Sequence, residues 1–249
     1  MVTELNIRII SPETAGNIRK NQILIEHIPD GDLNYRILEI ALKGTPIIKM
    51  GDGYPRVMLT AGIHGNELPP QVAALRMIEN LNSQVINGTV FIIPFTIPQA
   101  TMNGSRRFKG FDMNRKASSE GYITHKIIET VKSLKINSLA DFHATKPNSN
   151  PGVESVFCSK KPCILSFKIA AHINKISSSK IICHETAGSL YSGALEDECN
   201  ISGVPAVTCE VVSNNNKIDS GSLDRSYLQM MAYLDYFDVV NLFNELKIR

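Results

Sequence analysis

The sequence predicts an α/β fold: a mixed, mostly parallel sheet with helices on both faces, built as a single domain over residues 1–249. Three observations carry this. From Val57 onward, short apolar runs rich in β-branched residues alternate with stretches whose apolar residues recur every three or four positions, the patterns of buried strands and amphipathic helices. Hydrophobic residues make up 43% and charged residues 20% of the chain, the balance of a protein that buries a core. No internal repeat and no linker rich in Gly, Pro or Ser divides it.

Residues 1–33 are mixed, with apolar stretches at 7–10 and 23–25, and Asp30-Gly31-Asp32 marks a turn. Residues 35–42 read as a strand, because Leu38, Ile40 and Leu42 alternate onto one face. Gly51-Asp52-Gly53 reads as a second turn, so the opening suggests antiparallel structure at a sheet edge. Six further strands are expected at 57–60, 90–93, 139–142, 153–158, 181–183 and 206–212. Helices are expected at 67–80, 122–135, 164–176, 194–201 and 223–246. The segment 99–120 shows little periodicity, and a long irregular connection after a strand is often functional.

Charge excludes some functions. A net charge of +2 argues for neither a nucleic-acid nor a membrane-surface partner. The first residues lack a basic region followed by an apolar core, and no apolar run approaches a membrane span. Cys158, Cys163, Cys183, Cys199 and Cys209 show no CxxC spacing and read as reduced thiols of a cytoplasmic protein.

The chemistry centres on His64-Gly65-Asn66-Glu67. His64 lies where a strand ends and Glu67 in the first turn of the next helix, where Pro69 and Pro70 are tolerated because the first N–H groups lack helical partners. Across such a turn an imidazole and a carboxylate converge, supplying two of three ligands of a His/His/Glu zinc site with an open position. His143 also emerges at a strand's carboxyl end and is the third candidate. Asp141, two residues earlier on the same side of the strand, is placed to hold the second imidazole N–H. Glu210 is a carboxylate inside an otherwise apolar strand; a structural salt bridge is the alternative to a general base that takes a proton from the attacking water. On the long loop, Arg106, Arg107 and Arg115 flank Asn114, and guanidinium forks suit a substrate carboxylate or a developing oxyanion. His27, His125, His172 and His184 read as solvated or capping residues, although His184 could also line the cleft.

These residues, in this order, resemble the zinc carboxypeptidase superfamily and, within it, the succinylglutamate desuccinylase/aspartoacylase group. The family's HGxE pattern is similar to His64-Gly65-Asn66-Glu67, and its later ligand to His143. Its arginine–aromatic pair followed by Asp-Leu-Asn-Arg resembles Arg107-Phe108 and Asp112-Met113-Asn114-Arg115. Its Gly-Ile/Val-Pro-Ala strand resembles Gly203-Val204-Pro205-Ala206, leading to Glu210. The resemblance implies a zinc carboxypeptidase-like fold and one zinc per chain. It implies attack of metal-activated water on an amide carbonyl, Arg107 stabilising the oxyanion and Asn114 and Arg115 holding a substrate carboxylate. Carboxypeptidases also use a mobile tyrosine ahead of the glutamate. Tyr191, 19 residues upstream, is the candidate, with packing its preferred role. The chain departs from the group in following its glutamate with Val211-Val212 rather than Leu-Gly, and in having 39 residues after Glu210 where aspartoacylase-like enzymes carry a further β domain.

The function expected is hydrolysis of an amide bond in an N-acyl amino acid or similar small carboxylate-bearing molecule. Release of C-terminal residues from short peptides is the alternative, and a non-catalytic binding protein on the same fold the third possibility. The intact set His64, Glu67, His143 and Glu210 weighs against the last.

Overall fold

Apolar alternation resolves into strands and helices over residues 5–240, the part of the chain that the computed structural model describes. The first strand, β1 (Asn6–Ile9), is followed by α1 (Gln22–Ile25), α2 (Asp32–Ala41), β2 (Pro46–Asp52), β3 (Arg56–Ala61), α3 (Leu68–Asn82), β4 (Gly88–Ile93) and α4 (Pro98–Met102). After a long loop come α5 (Ile123–Ser133), β5 (Ser138–Thr145), β6 (Ser155–Lys161), α6 (Ile164–Ser177), β7 (Lys180–Thr186), α7 (Leu195–Ile201), β8 (Ala206–Val212) and α8 (Ser222–Tyr236). The strands form one eight-stranded sheet in the order β1-β2-β4-β3-β5-β8-β6-β7. Its centre, β4-β3-β5-β8, is parallel; β1, β2 and β4 pair antiparallel, and β6 runs antiparallel to β8 and parallel to β7. This is the mixed α/β sheet expected.

Each central strand is buried on both faces, and its side chains divide by parity. Val57, Leu59, Ala140, Phe142, Val207 and Cys209 enter one core, shared with α3, α6 and α8. Met58, Leu139 and Ala206 enter a second core on the other face, with α5, α7 and the long loop. Each large side chain so buried contributes about 1.5–3 kcal/mol. The candidate site lies on the second face.

Several expectations change. Residues 35–42 are not a strand: 35–41 fall in α2, whose buried positions Asn34, Ile37, Leu38 and Ala41 have helical spacing, and Leu42 follows as its C-cap. The alternation of Leu38, Ile40 and Leu42 was compatible with both, and Leu42 is exposed. Gly51 and Asp52 are not a free turn but the end of β2, paired with Thr89 and Gly88. The segment 99–120 is not wholly irregular, since it includes most of α4 and a short 3-10 turn at Met113–Arg115. The last helix ends at Tyr236, and the expected continuation past residue 240 lies outside the described residues. All five cysteines are free thiols. Among the described residues, no helix is long and apolar enough to cross a membrane.

Candidate active site

Three neighbouring parallel strands end at the same edge and change character as they do. On the second-core face β5 runs Leu139, Asp141, His143, and β8 runs Ala206, Thr208, Glu210: apolar first, polar at the carboxyl end. Register places His143 opposite Glu210 and Asp141 between Thr60 and Thr208. β3 delivers His64 through a turn pressed against α4. A Cβ on Gly65 would lie 2.0 Å from the Ala100 carbonyl carbon, so only glycine fits there. Glu67 is the residue before α3, with prolines in the first helical turn, and its side chain makes no capping bond to that helix. It is free to face the histidines.

The three candidate ligands converge. His64 Nδ1 lies 2.9 Å from Glu67 Oε1 and His143 Nδ1 lies 2.8 Å from Glu67 Oε2. Donor atoms of the three, all buried, lie within 4.8 Å of one another. Each ring's far nitrogen is held by a carboxylate: His64 Nε2 by Asp112 Oδ1 at 2.8 Å, and His143 Nε2 by Asp141 Oδ2 at 2.7 Å. Thr60 Oγ1 in turn donates to Asp141 Oδ1 at 2.7 Å. Such partners keep the Nε2 protons in place and aim both Nδ1 atoms at one point, as an imidazole ligand requires. Burial disfavours charge on His64, yet the Glu67 carboxylate holds its pKa up. For His143 burial is likewise overridden, by Asp141 first and Glu67 next. Glu67, despite burial, is held well below the carboxylate range by the two rings. A carboxylate clamped between two imidazole nitrogens is a site where a divalent cation can take the place of protons. Two nitrogens and one carboxylate oxygen suit zinc.

Glu210 completes the group. Its Oε2 is buried and has no hydrogen-bond partner among the described residues. Burial first, then the Glu67 charge, push its pKa up to about 8, against the opposing pull of His143, His64 and Arg106. A cleft of about 360 Å³ opens over these residues. Asn114 lines it; its Oδ1 accepts from the Leu195 N–H at 2.9 Å and its Nδ2 lies 3.3 Å from His143 Nε2. Arg115 lays its guanidinium 4.9 Å from the centre of the Tyr191 ring, and Tyr191 meets Phe157 edge-on at 5.9 Å. Tyr191 therefore lines the cleft and packs at once.

The catalytic-domain profile of the succinylglutamate desuccinylase/aspartoacylase family matches residues 53–214, a span that contains all of these side chains. The chain belongs to this family. Comparison by sequence with curated proteins returns no match. Among solved structures, an aspartoacylase family protein from Mesorhizobium loti is 20% identical, with a TM-score of 0.60 over 79% of this chain and 62% of that one. The product-bound ectoine utilization protein EutE from Ruegeria pomeroyi is 16% identical, with a TM-score of 0.64 over 80% and 64%. A metallo-carboxypeptidase from Burkholderia cenocepacia is 10% identical, with a TM-score of 0.64 over 96% and 66%. At these identities the likeness is one of fold. The chain spans about three-fifths of the length of the first two.

Of the arginines expected at the cleft, Arg107 is the one that the structure places elsewhere, while Arg106 and Arg115 line it. Arg107 lies outside the cleft, exposed, donating to the Gly110 carbonyl at 3.1 Å. Arg106 lines the cleft instead, donating to Glu67 Oε1 at 3.0 Å and Asp112 Oδ2 at 3.2 Å. The cause is local. Phe108 is buried in the second core and pairs with Phe111 across a tight turn, which sends its neighbour Arg107 outward. Sequence reasoning also missed three residues. Asp112 has no role marked by sequence alone, although its place beside Asn114 and Arg115 is a signal. Thr208 shares Glu210's parity. Glu196 sits in an acidic run that resembles a solvated helix face, yet it is buried against the cleft. His184 packs behind Tyr191, 5.8 Å between ring centres.

Proposed function

We propose that the protein is a zinc-dependent amidohydrolase that removes the acyl group from an N-acyl amino acid or similar small, carboxylate-bearing substrate. The observation that carries the reading is the meeting of His64, Glu67 and His143 around one point, with the unpartnered carboxylate of Glu210 next to it. A zinc ion held by those three residues would supply Lewis acidity to the scissile carbonyl and to an attacking water. Glu210 accepts the proton of that water and passes it to the leaving nitrogen. Arg106, in the place expected of Arg107, donates to the developing oxyanion. Asn114 and Arg115 hold the substrate carboxylate, and the Tyr191 ring keeps the Arg115 fork in position.

Family membership supports hydrolysis as the reaction class. The test combines metal analysis with a panel of N-acyl amino acids and short peptides. One zinc per chain and amine release from the acyl amino acids are expected. Turnover confined to peptides would replace the reading with a carboxypeptidase, and zinc binding without turnover of either class with a binding protein.

A further inference from the structure

The cleft is electrically polarised along its depth. Its exposed rim carries Arg106, Arg115 and Lys146, while beyond the His64, Glu67 and His143 group its buried lining includes, past Glu210 on the same face of β8, Thr208 and Glu196 at the base. Glu196 is only 6% exposed, and no Lys, Arg or His forms an ion pair with it among the described residues. Its one hydrogen bond there is from Asn200 Nδ2 to Oε1 at 2.6 Å. The charges that act on it are acidic: after burial, Asp197 and Asp141 drive its pKa well above the usual range. A buried carboxyl without a cation is expensive unless something else supplies the charge.

A purely structural role explains it poorly. Asn200 is already anchored without Glu196, since its Nδ2 also donates to the Ala206 carbonyl at 3.0 Å and its Oδ1 accepts from the Ala206 N–H at 3.0 Å. Leu195, immediately before Glu196, packs in the second core and donates its N–H to Asn114. Glu196 is thereby held at a set place relative to the carboxylate-holding pair Asn114 and Arg115. A substrate whose carboxylate is taken at the rim extends its side chain toward this base.

We infer that the cleft selects substrates with a cationic side chain, Glu196 being the residue that receives the amine, so that the substrate is an N-acyl derivative of a diamino acid. The inference rests on the deacylase reading above. An acidic side chain would meet the Glu196 carboxyl at the base, and an aliphatic one would leave Glu196 buried without an ionic partner.

The test uses the zinc-loaded protein and Glu196→Gln, which keeps the bond to Asn200. Binding of ornithine, its near-isostere norleucine, and glutamate is measured by calorimetry. kcat/KM is measured for the Nα-acyl derivative of each with the acyl group that the panel identifies. Wild type is expected to favour the ornithine ligand and substrate by on the order of 10–100-fold over the norleucine ones, and E196Q to lose that preference while handling norleucine as before. Equal or better use of glutamate or norleucine by wild type overturns the inference while leaving the deacylase standing. So does an unchanged preference in E196Q. If E196Q loses norleucine affinity as well, the residue is structural and the inference fails. Absence of binding and turnover for every amino acid in wild type fails the deacylase reading itself, and the inference with it.

Discussion

Neutralising Glu210 should stabilise the metal-free protein while abolishing most of its activity when zinc is present. In the folded metal-free chain the Glu210 carboxyl rises from an ordinary 4.5 to about 8. Below the lower of these values both folded and unfolded states are protonated, and the site exacts no penalty. Between them the folded state keeps a proton that the unfolded chain has lost, and stability falls by about 1.4 kcal/mol per pH unit. Above the upper value the loss levels off, at about 5 kcal/mol if the whole rise is counted. Glu210 is partly open to the cleft and shares its charge balance with Glu67, so roughly half of that, about 2–3 kcal/mol, is the expected size. Glu210→Gln is neutral at every pH and removes this slope. Glu196, which titrates in the same sense, is present in both proteins and cancels. Urea unfolding in the presence of a chelator, from pH 4.5 to 9, should show mutant and wild type together at the acid end and the mutant increasingly more stable toward the alkaline end. With zinc bound, the cation favours the ionised carboxylate and the gap should narrow. Parallel stability curves across the whole range would refute the claim that this carboxyl is held neutral by its surroundings.

The zinc-loaded Glu210→Gln protein should retain its metal and lose about 10²–10⁴-fold in turnover, measured as amine release. Arg106→Ala should lower kcat by about 10²–10³-fold, whereas Arg107→Ala should change it by no more than about threefold, so steady-state kinetics of the pair decides which arginine serves the oxyanion. Asp141→Asn should weaken zinc binding by about 10–100-fold in competition with a chromophoric chelator. Asp112→Asn should weaken it less, because the Asp112 side chain is 23% exposed and that of Asp141 is fully buried. Arg115→Ala should raise KM for carboxylate-bearing substrates more than for their neutral analogues; equal effects would count against its role as a clamp.

The centre of the site was legible because its residues obey strand and turn rules that act locally. His64 and His143 each follow an apolar run, Asp141 follows from two-residue parity, and Glu210 stands out as a carboxylate within an apolar strand. Arg106 and Arg107 could not be told apart, since they are chemically identical neighbours in a loop whose direction is set by where Phe108 finds its core. Glu196 was hidden for a related reason. In Glu196-Asp197-Glu198 nothing marks the first two acids as buried, and the burial of Glu196 comes from strands and a helix distant in sequence. β2 was missed because Gly51 and Asp52 are turn residues by composition, and only pairing with Gly88 and Thr89 makes them strand. α2 was misread because one short stretch satisfied a period of two and, on other residues, a period near four.

The sheet does more for the site than hold it up. From Thr60 a chain of hydrogen bonds runs through Asp141 to His143, through Glu67 to His64, and on to Asp112 and Arg106. Its first three members lie on β3 and β5, and their alignment is a property of strand register. Shifting β5 by one residue against β3 and β8 would turn Phe142 toward the cleft and bury His143 among the apolar side chains on the far face. The parity that fills both cores with Val, Leu and Phe therefore also fixes the spacing between His143 and Glu210. A core substitution that loosens the β5–β8 pairing should consequently reduce turnover before it unfolds the protein, because the two groups meet only in one register.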